Sequence, residues 1–224
     1  MAKRFRLTVD PSIYELAPSF TGAVLYVDGV QNAPSDAWSE ALLAHAEQLV
    51  ESLPSGPDKH PHMQAWADVY RAFGAKPKRY KNGCLALARR APVPRVNALV
   101  DTYNALAMKH MVPIGGEDWD SLESDLVRTR ARGDEPFLGN ESDSVPERAT
   151  EGEPVWVDAA GVTTRRFNWR QAKRTRITLE TRAAYFVFDA VAPYSRAQVE
   201  SGAAELLSLV HERWPGASTD LVSI

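Results

Sequence analysis

Helical periodicity fills the first half of this 224-residue chain and strand patterning the second, with one more helix at the end. Grouping of that kind predicts an α+β fold and argues against a regular alternation of strand and helix. Residues 4–9 and 20–30 read as strands. Pro34-Ser35-Asp36 then opens a helix on which Trp38, Leu42, Leu43, Ala46, Leu49, Val50 and Leu53 keep helical period, until Pro54 and Gly56 end it. Residues 61–73 form a second helix with Trp66, Val69, Tyr70 and Phe73 inward, residues 82–90 a short third, and residues 97–110 a fourth. Later, 125–129, 154–158 and 162–165 are short strand-like runs, with a loop at 139–143. The stretch 184–191, AYFVFDAV, is aromatic and β-branched and is the strongest strand of the chain. Ser195-Arg196-Ala197-Gln198 matches a capping box. It starts a last helix with Val199, Ala203, Leu206, Leu207, Val210 and Trp214 inward. No repeat, low-complexity tract or composition shift divides the chain, so one domain over 1–224 is expected.

At 44% hydrophobic and 25% charged, the chain is an ordinary soluble globular sequence, long enough to bury a sizeable core. Its 26 Lys and Arg against 29 Asp and Glu exclude an overall nucleic-acid signature, so such a contact must come from a local patch. The single cysteine, Cys84, excludes an intrachain disulfide and points to a reducing compartment. The basic start, Met1 to Arg6, has no apolar stretch behind it, which argues against a signal peptide. No apolar run approaches the ~20 residues that span a bilayer. A cytoplasmic protein with no membrane partner is expected.

Three places carry possible chemistry. On the fourth helix, Asn97, Asp101 and Asn104 recur at i, i+4 and i+7, which places three polar side chains on one stripe. Such residues often cap neighbouring loops; alternatively the stripe is a pocket wall. Asn is unfavourable inside a helix, so Asn104 should have a partner, backbone or ligand. The stripe leads to Gly115-Gly116, a pair that ordinarily forms a turn but also allows close backbone approach to a ligand. The third place is TTRRFNWRQAKRTR, residues 163–176. There Arg165, Arg166, Arg170, Lys173, Arg174 and Arg176 interleave with Phe167, Asn168, Trp169 and Gln171. Guanidinium groups grip phosphates and aromatic faces stack on bases; a salt-bridged strand edge is an equally good account. Lys76 to Lys81 with Tyr80 would extend that footprint if the two runs meet. His60-Pro61-His62 lacks the Cys or acidic partners of a metal site. His110 suits a helix end, and Cys84 a small packed thiol. Neither a metal nor a cofactor is expected.

The segments RVNALVDTYNALAMKHMVPIGGEDWD, DLVRTRARGDEPF and EPVWVDAAGVTTRRFNWRQAKRTRITLETRAAYFVFDA resemble, in this order, parts of the B3/B4 domain of the phenylalanyl-tRNA synthetase β subunit. Closer still are free-standing B3/B4 proteins without a synthetase core. The resemblance is strongest over residues 64–192. Residues 1–60 then stand as an N-terminal strand–strand–helix extension packed on that core. The resemblance implies a three-layer α+β fold with an unusual β-sandwich and flanking helices. It further implies hydrolysis, in trans, of a wrong amino acid from a tRNA 3′ end. Asp101 and Asn104 fall on the family's polar helix pair and Pro113 on its turn proline. Gly115 stands where synthetase domains commonly carry histidine, and Gln171 near their editing-site glutamate.

The roles so implied are catalytic for Asn104, Gly115, Gly116 and Gln171, and pocket-lining for Asn97, Asp101 and Asn168. RNA contact falls to Arg165, Arg166, Trp169, Arg170, Lys173 and Arg174. An aminoacyl ester is already activated, so such a site needs only a positioned water and oxyanion donors. Two other functions fit the same residues. One is a non-catalytic module for tRNA or an amino-acid-like ligand; the other is a small-molecule binder reusing the fold.

Overall fold

A computed structural model describes residues 5–90, 92–140 and 144–224. Part of the expected 139–143 loop therefore lies outside the described residues. The first half contains β1 (Leu7–Val9), α1 (Pro11–Leu16), β2 (Thr21–Asp28), α2 (Ala37–Glu51), α3 (Pro61–Ala72), α4 (Gly83–Ala88) and α5 (Ala98–His110). The strand-rich part follows, with β3 (Ile114–Asp118), β4 (Leu126–Arg130), β5 (Pro136–Phe137), β6 (Glu147–Arg148), β7 (Pro154–Asp158), β8 (Gly161–Arg165), β9 (Arg170–Gln171) and β10 (Ala183–Ala190). α6 (Arg196–Arg213) and β11 (Ser218–Ser223) end the chain. The fold is α+β. α1, β3 and β11 had no counterpart in the sequence pattern, and Gly115-Gly116 lies inside β3 rather than in a turn.

One sheet has the order β11-β2-β10-β3 and another the order β1-β4-β7-β8-β9, with β5 and β6 as a separate hairpin. β10 is the central strand. It pairs antiparallel with β2 along all eight of its residues and with β3 along five. Its side chains alternate, as strand geometry requires. Ala184, Phe186, Phe188 and Ala190 pack on α5 and α6 with Leu99, Leu106, Val199 and Leu206. Tyr185 and Val187 face the other sheet, where they meet Leu126 and Trp156. Helices, four-stranded sheet and five-stranded sheet thus form three layers, the last two being the β-sandwich. β2 is an interior strand of this arrangement, so the N-terminal residues are woven into the sandwich.

α5 is buried on nearly all sides, with Asn104 half-buried and Lys109 exposed. Leu99, Tyr103 and Leu106 serve the sheet side. Ala105 and Met108 join Leu43, Met63, Trp66, Tyr70 and Leu85 from α2, α3 and α4 in a second core. A helix apolar on nearly all sides belongs inside a molecule, and α5 is the spine between two cores. The Asn97 side chain caps its start by accepting from the Val100 N–H, and left-handed Met111 (φ 49°) ends it. The capping box predicted at Ser195 and Gln198 is present on α6.

Candidate functional site

β3 is an edge strand among the described residues: β10 lies on one side of it and no described strand on the other. α5 passes over that open edge, and the β8–β9 hairpin rises beneath it. Together with α4 they enclose a cleft of about 170 Å³. The polar lining is Asn104 from α5, Thr164 from β8, Asn168 from the hairpin turn, and Arg170 and Gln171 from β9. Leu87, Tyr103, Ala107, Ile114 and Trp169 supply the apolar wall.

The polar stripe of α5 divides in space. Asn97 is buried as the helix cap, and its amide donates to the Ile177 carbonyl at 3.4 Å. Asp101 is fully buried. It accepts from the Val96 N–H at 2.9 Å and from Ser35 Oγ at 2.5 Å. Both residues therefore hold the start of α5 in place and neither lines the cleft, contrary to the expected pocket roles. Asn104, one turn further on, is half-buried and opens into the cleft. Its amide forms no hydrogen bond among the described residues.

The glycine pair also splits. Gly115 is exposed at the cleft, with open space where a Cβ would stand. Gly116 is buried, and a Cβ there would lie 2.7 Å from the Tyr103 ring and 2.8 Å from Phe186. Close packing therefore requires glycine at 116. Asp189 N–H donates to the Pro113 carbonyl, which makes 113 and 189 a hydrogen-bonded pair; two residues on, 115 and 187 form the next. The Gly115 N–H is thus turned toward β10. The backbone of Gly116 faces the open edge, where Gln171 Nε2 donates to its carbonyl at 2.5 Å. Of the two expected oxyanion donors, only Gly116 has its N–H on the free side of the strand.

The hairpin turn at 166–169 is built on two consecutive left-handed residues, Arg166 (φ 50°) and Phe167 (φ 63°). Side chains other than glycine reach that region at a cost of order 1–3 kcal/mol each, offset here by what the turn buries. Phe167 is fully buried against Phe20, Trp66 and Phe73. Asn168 is fixed from three sides. Its amide donates to Asp189 at 3.2 Å, its side-chain oxygen accepts from the Tyr70 hydroxyl at 3.2 Å, and its carbonyl accepts from the Gly83 N–H at 2.7 Å.

The basic-aromatic run is mostly internal, which corrects the expected RNA surface. Arg165 is buried in a two-point pair with Glu153 at 2.6 and 3.0 Å, and also meets Glu147 at 2.9 Å. Arg166 pairs with Glu153 at 3.2 Å between the rings of Tyr80 and Trp169, 3.9 and 4.5 Å away. Burial pulls the Arg166 pKa down, with the Glu153 charge opposing. Arg174 donates to the Ser121 carbonyl and to Asp158. These three arginines are spent on the protein itself. Trp169 and Arg170 line the cleft, Arg170 also reaching Glu147 at 3.3 Å, while Lys173 lies outside it. The two basic runs do meet, through Tyr80, whose ring stands edge-on to Trp169 at 5.0 Å.

Gly83, Cys84, Leu87, Tyr103, Ala107, Ile114 and Thr164 line the cleft without having been singled out for it. A short helix brought in from another layer leaves no periodic signature, so Gly83, Cys84 and Leu87 carried no cue. Beneath them Glu117 is buried, accepting from Thr164 Oγ1 and from the Tyr185 hydroxyl at 2.7 Å. Cys84 donates to the Ala107 carbonyl at 3.1 Å, and burial pushes its thiol up to about 12. Burial likewise raises the Tyr103 hydroxyl. Among the described lining residues there is no carboxylate and no histidine. The cleft's chemistry is therefore that of neutral amides, edge backbone groups and one guanidinium. Among the described residues no group of three or more His, Cys, Asp or Glu is placed to hold a metal ion. No described helix is long and apolar enough to cross a membrane.

Three layers with a cleft at the open edge of an inner sheet define an α+β domain with a site at a sheet edge. Residues 65–209 match the B3/4 domain, and the chain belongs to that family. Among solved structures it is similar to an N-terminal fragment of the phenylalanyl-tRNA synthetase β-subunit from Pyrococcus horikoshii, with a TM-score of 0.50 at 15% identity. That match covers 99% of this chain and 54% of the fragment, so the chain spans about half the fragment's length. At such identity the likeness is one of fold. No curated protein sequence matches the chain.

Proposed function

We propose that the cleft receives the aminoacyl end of a tRNA and promotes hydrolysis of its ester in trans. The observation that carries this reading is Asn104. A helix interior disfavours Asn, the side chain has no protein partner among the described residues, and it opens into the cleft. Its amide offers a donor and an acceptor to an α-amino or carbonyl group in the cleft. With no carboxylate or histidine among the described lining residues, the chain's part is to position water through Asn104 and Gln171. The Gly116 N–H, on the open edge, meets the developing oxyanion. Apolar residues Leu87, Ala107 and Ile114 suit a hydrocarbon or aromatic side chain.

A second reading, recognition without cleavage, is favoured because the described lining residues include no carboxylate or imidazole. The ester half-life separates the two. Mischarged and correctly charged tRNAs, with L- and D-amino acids, are incubated with the protein. Shortened half-lives for a subset support hydrolysis; protection of the ester supports recognition alone. No effect on any of them removes the tRNA reading and leaves a small-molecule binder.

A further inference from the structure

Charge is segregated along this chain. Residues 57–90 carry eight Lys or Arg against only Asp58 and Asp68, whereas the remaining residues carry 18 against 27 Asp or Glu. α3, the connector at 74–82 and α4 turn this segment into a groove of about 700 Å³. Its cationic lining is Lys59, Arg71, Lys78, Lys81 and Arg89. The two acids occupy only two of these, in pairs Asp58–Arg89 at 2.9 Å and Asp68–Arg71. Lys59, Lys78 and Lys81 make no ion pair among the described residues. Lys81 Nζ instead donates to the Lys78 carbonyl at 2.9 Å, which holds the connector as one positively charged edge. The 163–176 run, by contrast, is largely neutralised by Glu147, Glu153 and Asp158.

We infer that this groove is a docking surface for RNA backbone. Point-charge ammonium groups around a groove fit repeated phosphates, whose recognition depends on charge rather than sequence. A protein partner would need an apolar centre. None of the large hydrophobic side chains that are exposed (Tyr14, Val96, Val145, Leu179 and Val222) belongs to this segment. α4 joins groove to cleft, since Leu85 and Arg89 line the former and Gly83, Cys84 and Leu87 the latter. A strand held in the groove is thereby led along α4 to the cleft. The choice of RNA over other polyanions rests on the proposed reading of the cleft.

The test is fluorescence anisotropy on the full chain with a labelled RNA hairpin carrying a single-stranded 3′ end. A DNA hairpin of the same sequence and a poly-glutamate of equal charge are the comparisons, each titrated with salt. RNA should bind most tightly. The double variant K78E/K81E should lose at least about tenfold in affinity and flatten the log–log salt dependence by about 2. R132E/R196E, an equal charge change outside the groove, should remain close to wild type. Circular dichroism confirms that the variants fold. Unchanged RNA affinity in K78E/K81E overturns the inference, as does poly-glutamate or DNA binding as tightly as RNA. An aminoacyl analogue that still binds the cleft while K78E/K81E leaves RNA affinity unchanged fails this inference alone. Loss of RNA in K78E/K81E without analogue binding supports the groove and fails the cleft reading.

Discussion

Arg128 and Asp189 meet inside the β-sandwich, both buried, in a two-point pair at 2.5 and 2.9 Å. The guanidinium lies 4.4 Å from the Trp156 ring, and the same Asp189 oxygen that accepts Arg128 Nη2 also accepts the Asn168 amide. The cleft wall is thus tied to the core through one carboxylate. Breaking a buried pair from one side leaves an uncompensated charge, at a cost of about 3–5 kcal/mol. Arg128→Met and Asp189→Ala should each lower stability by that amount in denaturant unfolding. Asn168 loses its acceptor only in Asp189→Ala, so its amide resonance should shift more in NMR there than in Arg128→Met, which leaves the Asp189 carboxylate in place.

The two glycines of β3 should respond in opposite ways. Gly116→Ala places a methyl group against Tyr103 and Phe186, and overpacking of this kind costs about 1–3 kcal/mol. Gly115→Ala and Gly115→His meet open space and should unfold within about 0.5 kcal/mol of wild type. Thermal denaturation of the three variants checks this.

Asp101 and Asn104 lie less than a turn apart on α5 and should separate stability from function. Asp101→Ala strips the Val96 N–H and the Ser35 hydroxyl of their acceptor. Both bonds are part-buried, so water can replace part of what is lost, and hydrogen bonds to a charged group contribute about 1.5–3 kcal/mol; a loss of at least about 1.5 kcal/mol is expected. Asn104→Ala removes an unpaired polar group from a helix interior and should leave stability equal or raise it by up to about 0.7 kcal/mol.

These contrasts show how much the sequence revealed. Periodicity located α2, α3, α5, α6 and β10, because each buries a face or both faces of a regular element, while α4 reads only as a short helix at 82–90 with no periodic face of its own. α1, β3 and β11 escaped: α1 is a six-residue helix with one buried residue, and β3 carries Gly115 and Gly116, which read as a turn. The same spacing put Asn97, Asp101 and Asn104 on one stripe, yet two of them answer to loop backbone that no helical wheel displays. Arg165 and Arg166 looked like a surface because their neutralising acids lie elsewhere in the chain, Glu147 on β6 and Glu153 just before β7. Pairing across a sheet is a tertiary fact, and charge counting along the chain does not contain it. Asn104, Gly115, Asn168 and Gln171 were nonetheless named from sequence and do converge on the cleft.

A pH effect follows from His62. It is fully buried, with Nδ1 2.9 Å from the Met111 carbonyl and Nε2 accepting from the Val191 N–H. This geometry fixes the neutral ring with its proton on Nδ1. Burial lowers its pKa to about 4 from 6.5. Between those values the unfolded chain binds the proton and the folded chain does not, so stability must fall as pH drops from about 6.5 toward 4. At about 1.4 kcal/mol per pH unit the full loss is about 3 kcal/mol. Urea unfolding at pH 7 and at pH 4.5 measures it, and His62→Asn, which cannot titrate, should flatten this part of the profile.

The cleft at the β3 edge is proposed to hold an aminoacyl group. Calorimetric titration with a non-hydrolysable 3′-aminoacylamino-adenosine, carrying a hydrocarbon or aromatic side chain, tests it without requiring turnover. Wild-type protein should bind the analogue, and Asn104→Ala and Gln171→Ala should each weaken binding by about tenfold, the worth of a hydrogen bond of roughly 1.4 kcal/mol. No binding by the folded protein, or binding that neither substitution alters, would contradict it.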